Sequence, residues 1–149
     1  MLIYLRQDPT KKSNSYNRKI EAQIQVNAET QNAYNLHKMD KLEQKHLDTS
    51  RGYRYRYYIS PASLADTSKP ALLVCHGWPD SAHLWRDVVP FLLQSKNRLI
   101  LPDLLGYGGS SKPTDPKEFE ISAMVSDVME IVKAEGVDQQ GIIPMGHDW

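Results

Sequence analysis

The last four residues of the chain, Gly146-His147-Asp148-Trp149, have the spacing of a nucleophile turn. A small residue, any residue and then a nucleophile, placed directly after an apolar run, fold as a strained strand-to-helix turn that lifts the nucleophile above a sheet. Asp148 stands in the nucleophile's place. A carboxylate is no useful acylation nucleophile in the manner of Ser, but it can attack an electrophilic sp³ carbon and form an ester. Asp is also a common helix N-cap, and the tetrapeptide alone leaves both readings standing.

His76-Gly77-Trp78-Pro79 ends a second apolar run. A tight turn there can aim the backbone N–H of Trp78 at the same end of the sheet. The N–H of Trp149, next to the candidate nucleophile, would then be the second donor of an oxyanion hole. Taken by themselves the same four residues are also a plain turn around a buried aromatic. Other constellations fail. Gly106–Lys112 is no phosphate loop, because Ser111 stands where the second Gly should precede the Lys. The five His residues lack metal-ligand spacing, and no pattern calls for a metal or another cofactor. Gly-x-Ser-x-Gly does not occur. Cys75 reads as core, and His76 and His147 read as local hydrogen-bonding residues rather than general bases.

These residues need elements to position them. Tyr53–Ser60 alternates, is rich in aromatics and stops at Pro61, which predicts a strand. Ala71–His76 is a nearly continuous apolar run, as in a parallel strand covered on both faces. Arg98–Pro102 and Gly141–Met145 are two further strands. Asp80 or Ser81 can cap a helix presenting Leu84, Val88 and Leu92 on one face and bent at Pro90. Ile121–Glu135 is the clearest helix, with Ile121, Met124, Val125, Val128, Ile131 and Val132 in one stripe and Gly136 at the cap. Strands alternating with helices mean βαβ units and a parallel sheet. The loops His76–Asp80, Asp103–Pro113 and Gly146–Trp149 all follow strand carboxyl ends, where open α/β sheets bind ligands. The chain stops on its last strand, so the expectation is a truncated doubly wound domain whose isolated chain is inactive.

Composition narrows the setting. The 149 residues carry 18 Lys and Arg against 18 Asp and Glu, which argues against a nucleic-acid grip. No apolar run approaches the ~20 residues of a membrane span. A single cysteine fits a reducing compartment, and a cytoplasmic protein is expected. Charge and amide content are uneven: nine Asn and Gln fall in the first 38 residues and five in the remaining 111. Residues 1–50 therefore read as a polar, flexible leader and 51–149 as the structured part.

Order and spacing of these motifs resemble a known family. His76-Gly77-Trp78-Pro79-Asp80 with Leu84-Trp85-Arg86, then Pro102–Pro113 with its Gly-rich loop, then Gly146-His147-Asp148-Trp149, are similar to the epoxide hydrolases of the α/β-hydrolase fold. The resemblance covers roughly Arg51–Trp149. It implies a partial, mostly parallel doubly wound sheet whose carboxyl half and cap domain lie beyond this chain, and a strand Gly141–Met145 that sits centrally. It also implies the reaction. Asp148 attacks an epoxide carbon, and water activated by a later His–acid pair cleaves the ester to a vicinal diol. The Trp78 and Trp149 N–H groups serve as oxyanion donors on the turn of His76, Gly77 and Pro79. The implied partners are a small epoxide and water. Haloalkane dehalogenases are the nearest alternative, although they tend to carry Asn where Trp78 stands. A catalytically inactive fragment is the other.

Overall fold

The computed structural model describes Met39–Asp148 together with Ile20, Gln23 and Gln25, which are helical. The rest of the expected leader over 1–38, and Trp149, lie outside the described residues. The chain divides into two units, Met1–Leu36 and His37–Trp149, and the second carries the sheet.

Five strands form that sheet: β1 (Glu43–Asp48), β2 (Arg54–Ile59), β3 (Ala71–Cys75), β4 (Leu99–Pro102) and β5 (Ile142–Gly146), in the spatial order β1-β2-β4-β3-β5. β2 runs antiparallel to both neighbours, whereas β4, β3 and β5 are parallel. Four of the five strands thus share one direction, as the fold class predicts. The surprise is β1, which lies inside the segment assigned to a polar leader. The sheet begins before residue 51. Its sequence, Glu43-Gln44-Lys45-His46-Leu47-Asp48, lacks the apolar alternation that marks a strand, and it pairs as a mostly exposed edge against β2. Charged residues suit an edge, where they discourage pairing with another chain.

The continuous apolar runs are explained by burial on both faces. Tyr55, Tyr57 and Ile59 of β2, Leu73 of β3 and Ile100 of β4 join Val128, Ile131 and Val132 in one core. Tyr58, Leu72, Val74, Leu99 and Leu101 pack on the other face with Ala82 and Val89. The connection after β3 covers that second face, but not as one bent helix. It is a 3-10 turn (Ala82–Asp87), a short helix α1 (Val89–Leu92) and another 3-10 turn (Leu93–Ser95). Pro90 sits in the first turn of α1, the place a helix tolerates it, so it restarts the helix rather than kinking one. Ser81 makes no side-chain cap.

α2 (Ile121–Ala134) covers the first face. It ends in a Schellman motif, with Gly136 N–H donating to Lys133 O at 3.0 Å and Val137 N–H to Val132 O at 3.4 Å, around Gly136 at φ +66°. Only the carboxyl half of the expected stripe is buried. Val128, Ile131 and Val132 are in the core, whereas Ile121 is 75% and Val125 55% exposed. No helix among the described residues is long and apolar enough to cross a membrane.

The topology also fixes where ligands can enter. The chain steps from β3 to β4 on one side, then returns across β3 to β5 on the other. Order reversal of this kind opens a crevice at the carboxyl ends of the strands.

Candidate active site

The loop after β3 and the turn after β5 meet at that crevice. A Cβ built on Gly77 would lie 2.5 Å from Asp148 Cβ and 2.5 Å from the His147 carbonyl oxygen, so only glycine lets the two segments touch this closely. β5 delivers the turn in register: Gly146 pairs with Cys75, and His147 N–H donates to Cys75 O at 3.3 Å. Asp148 then takes φ +61°, a left-handed backbone conformation of the kind found in strained turns at functional sites. Asp tolerates it better than most residues.

On the β3 side, Asp80 N–H donates to Gly77 O at 3.0 Å, closing a tight turn that contains the cis Trp78–Pro79 bond. Trp78 is not the buried aromatic of the plain-turn reading, because it is 67% exposed. His76 is buried, and both its ring nitrogens are occupied. Nε2 accepts the Leu104 N–H at 3.0 Å, so the ring proton lies on Nδ1, which donates to Gly77 O at 2.8 Å. With its lone pair used on a backbone amide, His76 ties two loops together and has no capacity left to act as a base. The His147 ring stands edge-on to Trp85, with centroids 6.3 Å apart.

Asp103 is the residue that sequence reasoning missed. It is wholly buried at the end of β4. Oδ1 accepts the Ala82 N–H at 2.8 Å, while Oδ2 accepts Arg56 Nε at 2.6 Å and the Gly109 N–H at 2.8 Å. The helix-capping role expected of Asp80 or Ser81 is thus filled by a carboxylate from a distant loop. Gly108 was the available signal, since a Cβ there would collide with the Asp103 carboxylate. Beneath the site, burial pushes the Cys75 thiol up to about 11, which keeps it neutral and unreactive, as a core residue should be.

The loops after β3 and β4 border a cleft of about 370 Å³ lined by His76, Gly77, Trp78, Leu104, Leu105, Tyr107, Phe119 and Met124. The structure therefore brings His76, Gly77, Trp78, Pro79 and Asp148 together, whereas Trp149 is outside the described residues. Phe119 and Met124 come from the segment after the Gly-rich loop, where no motif drew attention to them.

Comparison with known proteins agrees with this geometry. Residues 70–149 match the family model of the alpha/beta hydrolase fold. The soluble epoxide hydrolase of Corynebacterium sp. (strain C12) is 41% identical over 98 residues, covering 66% of this chain and 30% of that protein. A fluoroacetate dehalogenase of Burkholderia sp. is 40% identical over 84 residues, covering 54% and 27%. The crystal structure of epoxide hydrolase A from Mycobacterium thermoresistibile superposes with a TM-score of 0.62 at 28% identity, covering 72% of this chain and 32% of the other. The chain spans about a third or less of the length of these relatives. Its mixed sheet, the meeting of its turns at a switch point and its match to the family model place this chain in the alpha/beta hydrolase fold family.

Proposed function

We propose that this chain carries the nucleophile and the oxyanion turn of an epoxide hydrolase. The observation that carries the reading is the contact of Gly77 with Asp148, which sets a carboxylate beside the Trp78 turn at the carboxyl ends of the strands. One Asp148 oxygen attacks an epoxide carbon. The C–O bond of the ring breaks, the ring oxygen takes up a proton, and an alkyl ester remains on Asp148. Water then adds to the ester carbonyl, and the tetrahedral oxyanion is held by the N–H groups of Trp78 and Trp149, each such donor contributing about 10²–10³ in rate. Collapse releases a vicinal diol and restores the carboxylate. His76 is not the base that activates this water, because it is already bound on both nitrogens. The substrate partners are a small epoxide and water, with no nucleic acid involved. A lone cysteine supports a cytoplasmic setting.

Rapid-quench mass spectrometry of the full-length protein with styrene oxide tests the reading. An adduct on the peptide containing Asp148, absent in Asp148→Asn, is expected, together with loss of diol formation. An adduct elsewhere overturns the assignment. The dehalogenase relative makes halide release the competing outcome, since the same carboxylate can displace a halide from an sp³ carbon. No Lys or Arg lines the cleft among the described residues to receive a haloacid's carboxylate, which favours a neutral substrate.

A further inference from the structure

The cleft at Gly77, the residue that touches the Asp148 turn, has two unlike sides. One is the Trp78 turn. The other is built by residues outside the catalytic motifs: Tyr107 from the Gly-rich loop, Phe119 from the 3-10 turn Pro116–Phe119, and Met124 from α2. Two of these rest against neighbouring parts of the site. The Phe119 ring edge rests on Gly106, where a Cβ would approach Cε1 to 2.8 Å. The Tyr107 ring stands edge-on to the His76 ring at 5.4 Å, and His76 is itself fixed by two hydrogen bonds. Tyr107 carries the one hydroxyl in the lining, and that hydroxyl has no hydrogen-bond partner among the described residues. Positioned aromatic rings, a thioether and an uncommitted phenol make a surface suited to a flat, polarisable group, which rings and methionine sulfur attract beyond simple area burial.

We propose that Tyr107 and Phe119 determine specificity at this site, selecting epoxides that bear an aryl substituent by seating that ring against their own. The inference rests on the epoxide hydrolase reading for its chemistry, but the aryl seat itself does not depend on turnover. Gly77 touches the Asp148 turn and lines the same cleft as Tyr107 and Phe119, which gives the substituent of an electrophile held at Asp148 a place against the aromatic wall.

The test is the ratio of kcat/KM for styrene oxide to kcat/KM for 1,2-epoxyhexane in the full-length protein. Phe119→Leu and Tyr107→Leu keep apolar volume and remove the ring. Each is expected to lower the ratio about fivefold, the size of a lost aromatic pair. An unchanged ratio in both variants, with folding confirmed by thermal melting, overturns the proposal. Should the protein open no epoxide, the functional reading fails, and the seat is still judged by saturation-transfer NMR with 1-phenyl-1,2-ethanediol. Saturation of the aryl protons that weakens in Phe119→Leu supports the seat, and its absence in the parent protein refutes it.

Discussion

Asp103 and Asp127 are both fully buried carboxylates, and each faces an arginine whose side chain is 23% exposed. Their surroundings differ in kind. Asp103 uses both oxygens, on donors from β2, from the turn after β3 and from its own loop. Asp127, in the middle of α2, takes the Tyr55 hydroxyl at 2.9 Å and Arg51 at 2.7 Å on Oδ2 alone, and its buried Oδ1 has no partner among the described residues. Arg51 also reaches the carbonyl and carboxylate of Glu118 at 2.9 Å. The first carboxylate gathers backbone from separate loops, so it shapes the cleft. The second joins side chains of a helix, a strand and a hairpin, so it fastens α2 to the sheet. Saturation, rather than burial, separates the residue that organises a site from the one that anchors an element.

That contrast can be broken experimentally. Asp103→Ala leaves two backbone amides, that of Ala82 buried, and a guanidinium without an acceptor, and it should cost about 3–5 kcal/mol in urea unfolding, along with the cleft. Gly77→Ala comes next. Its methyl group must push the Trp78 turn away from Asp148, and a displacement of about 1 Å near reacting atoms costs about 10² in rate. The expected result is that loss in single-turnover ester formation with only a small change in melting temperature. Asp127→Asn should cost less, about 1–3 kcal/mol, because one oxygen is already unpartnered. A larger loss than for Asp103→Ala would reverse the ranking drawn from saturation.

The smallest effect is alkaline. Burial, reinforced by the hydrogen bond to Asp127, holds the Tyr55 phenol well above its usual range, and burial raises the Cys75 thiol from 9.0 to about 11. Both groups are neutral when protonated and have folded pKa values above their unfolded ones. Their contribution is therefore complete below pH 9 and is lost as pH rises toward 11 and beyond. The urea midpoint should be flat near neutrality and fall above pH 9. Tyr55→Phe should reduce the fall at the upper end, and Cys75→Ala the fall between 9 and 11. Unchanged profiles in both variants would contradict the burial argument.

Much of the positioning frame was legible because it rests on local signals. The runs at 71–76 and 98–102 and the helix over 121–135 were placed to within a residue or two, since continuous apolarity and a 3.6-residue stripe report burial directly. The meeting of the 76–79 turn with Asp148 followed from strand-end logic. What stayed hidden depends on partners distant in sequence. β1 is a strand through pairing with β2 and not through its own alternation. Asp103 looks like an ordinary surface Asp until Arg56, Ala82 and Gly109 converge on it. Phe119 gains its place from the bare face of Gly106.

The left-handed backbone at Asp148 also filters how this position can change over generations. Asn and Gly enter such a conformation readily, whereas a β-branched side chain would add about 1–2 kcal/mol of strain. The change most easily accepted by the fold, Asp148→Asn, is therefore one that retains the shape of the turn while removing the oxygen proposed to attack. At this elbow the loss of a carboxylate is structurally smooth, and its exchange for a β-branched side chain is steep.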